Sequence, residues 1–289
     1  MNRKVVFLSM DSLENFECYD NLLIEPLNLS GWDVEIISWR KENVNWNEFD
    51  AVIVRSTWDY QSDPQKFISV LEDIDNSKAV LFNDISTIKW NMNKNYLQDL
   101  ANNGVLIVET IWNKDFNPKT LESSFELLNC DEIIIKPNIS ANADNTFKIS
   151  KDELQKLFNE LNEIFSDREF MIQPFMKSVL IEGEYSLFYF NGKLSHSILK
   201  KPKEKDFRVQ EEHGGIIKSI IPAEEQIKAA EKIIGNLNPI PLYARVDIVR
   251  TDDNRFALME LELIEPSLYF NFDVSSMQSF VDAFIKRMN

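Results

Sequence analysis

Four charged side chains lie on one face of a hairpin predicted near the carboxyl end of the chain. Residues 242–263 contain two β-rich runs separated by a polar turn, a pattern typical of antiparallel strands. With a four-residue loop, the register pairs Asp247 with Glu260 and Arg245 with Glu262. Because side chains alternate between the faces of a strand, these four share one face and apolar side chains occupy the other. The apolar face consists of Ala244, Val246, Ile248, Ala257, Met259, Leu261 and Leu263.

The three acids of this face would repel one another unless a cation lay among them. Asp247 faces Glu260 with Glu262 beside it, and like charges directly opposite each other destabilise a sheet. Carboxylate oxygens are ligands that Mg²⁺ prefers, and Mg²⁺ commonly arrives with the phosphates of a nucleotide. The pattern therefore predicts a site for magnesium and a nucleotide. The alternative is a solvated acidic face on a protein that is acidic throughout.

The composition indicates a globular protein that does not bind polyanions. Hydrophobic residues make up 44% of the 289 residues and charged residues 27%, as in ordinary globular chains. The net charge of -16 argues against DNA, RNA or an anionic membrane surface as a partner. A small substrate held by local cationic groups remains compatible with this charge.

Neither the cysteines nor the apolar runs indicate secretion. Cys18 and Cys130 lie far apart and have no metal-binding spacing, so neither a disulfide framework nor a zinc site is expected. The apolar run of residues 5–8 is too short for a signal peptide, and no later run approaches the length that spans a membrane. We therefore expect a cytoplasmic protein, with a homodimer as a common default.

Strands alternate with helices over about the first 85 residues, which predicts a parallel α/β layer. The predicted strands are residues 4–9, 34–37, 51–54 and 79–82, and the predicted helices are residues 19–29 and 64–75. Ligands of such sheets lie beyond the carboxyl ends of the strands. Those ends lead into residues 10–12, which include Asp11, and residues 55–60, a polar and aromatic group. This group either holds a small polar substrate or is an ordinary loop.

The middle of the chain supplies two lysines and a loop that could contact phosphates. One long helix is predicted from Asn83 and Asp84 to Gly104, with Lys94 on it. Lys136 ends a predicted strand, and a polar loop, residues 138–145, leads into a returning strand. Such a flap could close on phosphates through its backbone N–H groups, although it contains no glycine.

The following segments predict a hinge, a hairpin and a long charged connection. Residues 170–176 are predicted as a strand that Pro174 interrupts, since proline has no N–H to donate. Such an extended segment, with free backbone groups and apolar side chains beside them, suits the binding of an adenine ring. Residues 180–190 and 193–200 flank the turn Asn191–Gly192, a strong hairpin signal that sets Glu184 on a polar face. The connection of residues 202–215 ends in Gly214 and Gly215, and a doubled glycine favours close approach to a ligand.

Taken together, these segments resemble the ATP-grasp superfamily, and within it D-cycloserine synthetase-like proteins. The segments that carry the resemblance are residues 54–60, 135–137, 173–175, 183–187, 206–210, 213–215, 244–247 and 260–268. The resemblance implies an α/β (α+β) chain with the ATP-grasp fold and an amino-terminal Rossmann-like pre-ATP-grasp domain. The implied domains are residues 1–85, a central subdomain with the flap (86–178) and a carboxyl-terminal subdomain with the metal site (179–289).

The resemblance also implies a role for each candidate residue. ATP would contact Lys94 and Lys136 at its phosphates, Gln173, Pro174, Phe175 and Met176 at its adenine, and Glu184 at its ribose. Magnesium, as two ions, would bind Asp247, Glu260 and Glu262, and the catalytic residues would be Arg245, Arg208 and Lys200. The small substrate would contact Asp11, Arg55, Ser56, Thr57, Trp58, Gly214, Gly215 and Ser267. The sequence departs from the family at Glu262, where asparagine is common, and in the flap, which lacks the usual glycines.

The implied activity is that of an ATP-dependent ligase for a carboxylate and an amine, or for ring closure within one amino-acid-like substrate. Phosphoryl transfer to a carboxylate gives an acyl phosphate that an amine can attack, while metal ions and cationic side chains neutralise the developing charge. Two alternatives stay open: a small-molecule kinase on the same fold, and an ATP-binding module without turnover.

Overall fold

The computed structural model describes residues 2–141, 143–204 and 206–289. The flap residue Asn142 and Lys205 of the charged connection lie outside the described residues. The described part of the chain forms three sheets with helices packed around them, and none of its helices is long and apolar enough to cross a membrane.

The first sheet, called here the amino-terminal sheet, is parallel and has the strand order β2-β1-β3-β4. Its strands are β1 (Arg3–Ser9), β2 (Trp32–Ser38), β3 (Ala51–Ser56) and β4 (Val80–Phe82), and its helices are α1 (Ile24–Leu29) and α2 (Pro64–Asp75). The predicted parallel layer and the bounds of α2 are thus observed. The strands differ from the predicted bounds by one or two residues, and the helix expected over residues 19–29 begins later because a 3₁₀ turn, Asp20–Leu23, precedes α1. Pro26 within α1 has no N–H with which to extend the helical bonding backwards.

The second sheet, the central sheet, has the strand order β5-β8-β6-β7 with antiparallel pairs. Its strands are β5 (Ile111–Asn113), β6 (Glu132–Pro137), β7 (Phe147–Ser150) and β8 (Phe170–Pro174). The helices before and around it are α3 (Ile85–Met92), α4 (Tyr96–Asn102), α5 (Pro118–Leu127) and α6 (Leu154–Phe165). The strand, flap and returning strand predicted around Lys136 therefore correspond to β6 and β7.

The third sheet, the carboxyl-terminal sheet, has the strand order β11-β10-β9-β12-β13. Its strands are β9 (Glu184–Phe190), β10 (Lys193–Lys201), β11 (Ile216–Ser219), β12 (Tyr243–Arg250) and β13 (Phe256–Glu262). The helices of this region are α7 (Ser178–Ile181), α8 (Glu224–Ile234) and α9 (Val274–Met288). The strand expected from residue 180 begins only at Glu184, because α7 precedes it and Gly183, at φ +115°, turns the chain. A Cβ on Gly183 would lie 2.6 Å from the carbonyl oxygen of Lys200.

The long helix predicted from Asn83 to Gly104 is two helices. α3 ends at Met92, and Asn93 adopts an extended conformation with φ -102° and ψ 121°. Its side-chain oxygen accepts a hydrogen bond from the backbone N–H of Asn95, which favours a local turn over continued helix. Lys94 therefore lies in the break and not on a solvated helical face, and it is 7% exposed.

A β-bulge between β12 and β13 changes which side chains face the core. The predicted register holds at the pair Asp247–Glu260, but the next residue of β12 pairs with Leu258, which leaves Met259 as an extra residue. Leu258 packs in the core, whereas Ala257 and Met259 join a separate apolar cluster. The prediction that Ala257 and Met259 share the core face was wrong because a bulge shifts the alternation of side chains by one residue.

The carboxyl-terminal helix α9 packs against the amino-terminal sheet. Phe280 and Phe284 of α9 share one buried cluster with Val5 and Phe7 of β1 and with Phe190 of β9. The amino-terminal and carboxyl-terminal sheets are therefore joined by a continuous apolar core, and the three sheets hold the cleft described next between fixed walls.

Candidate functional site

A cleft lies between the central and carboxyl-terminal sheets, and most of the candidate residues line it. The candidates that line it are Trp58, Lys94, Lys136, Gln173, Pro174, Phe175, Met176, Glu184, Lys200, Arg208, Arg245, Glu260, Glu262 and Ser267. The candidates outside that lining are Asp11, Arg55, Ser56, Thr57, Gly214, Gly215 and Asp247. The structure thus brings together the groups expected around a nucleotide, and it separates several of those expected around the small substrate.

Two lysines at the ends of neighbouring elements face the cleft. The Nζ of Lys94 donates to the carbonyl oxygen of Ser140 at 3.0 Å and to Glu260 Oε1 at 2.6 Å. Lys136 is 8% exposed and has no ion pair among the described residues. Burial lowers the pKa of Lys136, only partly offset by Glu260. A desolvated cation without a partner is a strong site for an anionic group that enters the cleft.

The four charged residues of the hairpin lie together as predicted, and Lys200 and Glu184 lie beside them. Arg245 pairs with Glu262 across the strands and with Asp247 at 3.0 Å. Lys200 pairs with Glu184 and lies 3.3 Å from Asp247. Each of these side chains therefore has at least one oppositely charged neighbour, with Glu260 paired to Lys94. Their mutual pairing fixes the positions of the carboxylates along one wall of the cleft.

The acids of this wall differ in how readily they ionise. Burial alone would raise the pKa of Glu260, but Lys94 and Lys136 lower it to about 2. Burial would also raise the pKa of Asp247, yet Arg245 and Lys200 hold it below its usual value. Burial raises the pKa of Glu262 to about 7, only partly offset by Arg245. Glu260 and Asp247 are thus carboxylates at neutral pH.

The three predicted metal ligands do not converge on one point. Within the described ranges, no group of three or more acidic, histidine or cysteine side chains is arranged to hold a metal ion. Asp247 is 2% exposed, is held by Ser186, Arg245 and Lys200, and does not line the cleft. Glu260 and Glu262 do line it, and Mg²⁺ is commonly held by one or two carboxylates together with substrate phosphates. These two residues therefore fit magnesium that arrives with a nucleotide.

One end of the cleft is apolar and suits a planar base. Its walls comprise Val108, Ile134, Val179, Met176 and Met259. Met259 reaches this wall through the bulge in β13, a feature that alternation of side chains could not predict. The neighbouring Gln173 donates to Thr110 Oγ1 at 2.9 Å, and Phe175 meets Phe207 edge to face with centroids 6.4 Å apart.

At the other end of the cleft, the segment after β13, residues 264–268, has each of its backbone carbonyls held by a side chain. Tyr243 donates to residue 264 at 2.8 Å, Trp58 to residue 265 at 2.8 Å and Arg55 to residue 266 at 2.8 Å. Arg245 donates to residue 267 at 3.4 Å, and the ring of His196 bonds to residue 268 at 2.9 Å. Sequence reasoning missed this role because the donors come from strands far apart along the chain.

The buried position of Arg55 explains why it does not line the cleft. Its side chain is 0% exposed and bonds to Asp20 Oδ1 at 2.8 Å as well as to the carbonyl of Pro266. Ser56 is also buried and bonds to Ser9, while Thr57 is 0% exposed. The side chains of Arg55 and Ser56 therefore support the segment after β13 and the amino-terminal sheet in the absence of a ligand, and substrate contacts by these residues stay a prediction.

The remaining substrate candidates lie elsewhere for identifiable reasons. Asp11 is exposed and accepts a hydrogen bond from Ser38 at 2.5 Å. Gly214 adopts φ +81°, and a Cβ on Gly215 would lie 2.0 Å from the carbonyl oxygen of Val209. The packing of the connection on itself therefore requires the doubled glycine, and the predicted ligand contact at this position stays a prediction.

Glu265 lines the cleft and gives the free protein a distinctive pH dependence. Burial, reinforced by Glu262, raises the pKa of Glu265 to about 8. A raised carboxyl pKa means that the folded protein binds more protons than the unfolded one between the two values, so this group makes stability fall as the pH rises through that range. The Glu265→Gln variant lacks this titration. We therefore expect its free energy of unfolding, relative to that of the wild type, to increase by on the order of 1 kcal/mol or more from pH 5 to pH 8. Urea unfolding at both pH values, without ligands, measures this; an equal difference at the two pH values would contradict it.

Comparison with known proteins agrees with this architecture. Residues 5–83 match the family of the amino-terminal domain of D-cycloserine synthetase DcsG. The chain is 24% identical over 280 residues to the cycloserine biosynthesis protein DcsG of Streptomyces lavendulae, which covers 92% of each chain. The crystal structure of D-cycloserine synthetase DcsG superposes with a TM-score of 0.87 at 23% identity, over 99% of this chain and 100% of the other.

More distant structural neighbours share the same fold. D-alanine–D-alanine ligase of Bacillus anthracis, in a complex with ATP, superposes with a TM-score of 0.70 at 19% identity, over 100% of this chain and 97% of the other. The ATP-grasp ligase PsnB, in a complex with magnesium and ADP, superposes with a TM-score of 0.68 at 14% identity and covers 100% of both chains. These likenesses confirm the predicted ATP-grasp fold and the predicted resemblance to D-cycloserine synthetase.

Proposed function

Starting from the ATP-grasp fold of this chain, we propose that it is an ATP-dependent ligase that activates a small, amino-acid-like carboxylate as an acyl phosphate. An amine then attacks, either from a second molecule or from the same one to close a ring. The similarity to D-cycloserine synthetase over 92% of the chain supports a small substrate. It also supports ring closure as one of the two proposed reactions.

The observation that carries this proposal is the arrangement of charge along the cleft. Lys94 and Lys136 lie beside Glu260, and Glu262 lies beside Arg245, with an apolar base-sized wall at one end. Cations suit the phosphates, the two carboxylates suit magnesium, and the apolar wall suits adenine. This order matches a nucleotide that lies along the cleft with its γ-phosphoryl group near Arg245.

Each charged side chain of the cleft has its own role in phosphoryl transfer. Lys94 and Lys136 bind the phosphates and offset the charge that the leaving ADP gains. Glu260 and Glu262 would hold magnesium, which would spread the charge of the transferred group. Arg245 is held in place by Asp247 and faces the cleft beside Ser267, where it orients the carboxylate and stabilises the oxyanion formed when the amine attacks. Lys200 and Arg208 complete the cationic lining.

Release of ADP in the presence of hydroxylamine tests this proposal. With ATP, magnesium and a panel of small amino acids and carboxylic acids, the wild type is expected to release ADP only with certain acids. Hydroxylamine is expected to convert the activated acid to a hydroxamate, because it attacks an acyl phosphate but not a phosphate ester. A stable phosphorylated product without hydroxamate would instead identify a small-molecule kinase, and nucleotide binding without any product would identify a binding module.

A further inference from the structure

We infer that Glu265 binds the ammonium group of the substrate and thereby selects a zwitterionic, amino-acid-like molecule. The inference rests on the proposed function and assigns one residue to the recognition of that substrate. It places the positive group of the substrate between Glu265 and the aromatic side chains Trp58 and Tyr60.

Glu265 differs from the other acids of the cleft in its lack of a cationic partner. Glu184 pairs with Lys200, Glu260 with Lys94 and Glu262 with Arg245. The carboxylate of Glu265 forms neither an ion pair nor a hydrogen bond with any residue in the described part of the chain, although it lines the same cleft. A buried acid without a cationic partner favours its protonated form, and a ligand cation placed beside it stabilises the carboxylate instead.

Lys136 is the cationic counterpart of Glu265, because it also lines the cleft without an ion pair to any residue that the structure describes. It is the buried cation of the cleft for which the described residues provide no acid. One of these two unpaired groups is a base and the other an acid, so each matches a different part of the reacting molecules. Lys136 suits the phosphate of the nucleotide, and Glu265 suits a positive charge on the molecule that accepts the phosphoryl group.

The backbone at Glu265 is fixed before any ligand binds. The carbonyl oxygens of residues 264, 265 and 266 accept hydrogen bonds from Tyr243, Trp58 and Arg55, each at 2.8 Å. Arg55 is in turn fixed by Asp20, also at 2.8 Å. Donors from two different sheets therefore hold this segment, which aims the side chain of Glu265 into the cleft with little ordering cost on binding.

The surroundings of Glu265 favour an organic cation over a metal ion. Trp58 and Tyr60 line the same cleft and are 7% and 4% exposed, and the indole N–H of Trp58 donates to the backbone carbonyl of Glu265. Aromatic faces attract ammonium groups, whereas Mg²⁺ prefers a shell of oxygen atoms and keeps several waters. The ammonium of an amino acid is the cation that accompanies a carboxylate able to face Arg245.

Calorimetric binding with matched pairs of acids tests the inference. The probes are both enantiomers of the common amino acids, each paired with the 2-hydroxy acid that lacks the ammonium group. At least one amino acid is expected to bind the wild type about ten to a hundred times more tightly than its partner, the range of a charged hydrogen bond. Glu265→Gln is expected to abolish that preference, Glu265→Asp to keep part of it, and Glu163→Gln, at an exposed position on α6, to leave it unchanged.

Several results would overturn the inference. They are equal binding of the two members of every pair, a preference that survives in Glu265→Gln, and the absence of binding by any amino acid of the panel. A shift in the magnesium dependence of ADP release in Glu265→Gln would overturn it too, because it would make Glu265 a metal ligand. Binding is measured without turnover, so failure of the proposed function, seen as no ADP release with any acid, is distinguishable from failure of this inference.

Discussion

The Glu260→Gln variant is expected to release ADP on the order of a hundred times more slowly than the wild type, or slower still, at saturating ATP and magnesium. Glu260 lines the cleft beside Glu262 and is ionised, because Lys94 and Lys136 lower its pKa to about 2. Glutamine keeps the size of the side chain but removes the charge that binds magnesium and positions Lys94. Steady-state assays of ADP release against ATP and magnesium concentration measure the effect.

A matched control separates this effect from a general loss of charge. Glu182 also forms an ion pair within the carboxyl-terminal region, with Arg250 at 2.8 Å, but it lies outside the cleft lining. Partly exposed pairs near the surface contribute about 0–1 kcal/mol to stability. Glu182→Gln is therefore expected to keep its turnover rate. Comparable activity of Glu260→Gln and the wild type would contradict the role given to Glu260.

Lys200→Met is expected to destabilise the protein by about 3–5 kcal/mol, the usual cost of leaving buried acids without their partner. Lys200 pairs with both Glu184 and Asp247, and all three side chains are nearly inaccessible to solvent, at 4%, 9% and 3% exposure. The loss is expected to be larger at pH 8 than at pH 5, because the two abandoned carboxyl groups can be protonated at the lower pH. Urea unfolding at both pH values measures it.

Comparison of Lys136→Met with Lys200→Met distinguishes the loss of an unpaired buried lysine from the loss of a paired one. Lys136 is about as buried as Lys94 and Lys200, but its replacement breaks no ion pair with a described residue. Burial also lowers its pKa. We expect its free energy of unfolding to be unchanged or higher, while its affinity for ATP falls about ten- to a hundredfold. If Lys136→Met were as destabilising as Lys200→Met, the distinction between paired and unpaired cations would be wrong.

The parts of this structure that follow from local patterns could be predicted from the sequence. Alternation of side chains and turn chemistry placed the hairpin pairs Asp247–Glu260 and Arg245–Glu262 and the turn at Asn191, which has φ 48°. The parallel amino-terminal sheet and the bounds of α2 also follow from periodicity. In each case the signal lies within about twenty neighbouring residues.

The features that could not be predicted depend on contacts between distant segments. The helix break at Lys94 is stabilised by the contact of its Nζ with Ser140 and Glu260, and the bulge at Met259 shifts a strand by one residue. The fixed segment after β13 needs donors such as Arg55 and Trp58 from more than two hundred positions earlier. No property of Arg55 in the sequence distinguishes a residue that supports the backbone from one that binds substrate.

Calorimetric titration with an unhydrolysable ATP analogue tests the central claim most directly. The claim is that the cleft between the central and carboxyl-terminal sheets binds a nucleotide through Lys136 and through magnesium held by Glu260 and Glu262. The account predicts one nucleotide per chain, tighter binding with magnesium than without it, and weakened binding in Lys136→Met. Absence of binding with and without magnesium, or equal binding by Lys136→Met and the wild type, would contradict it.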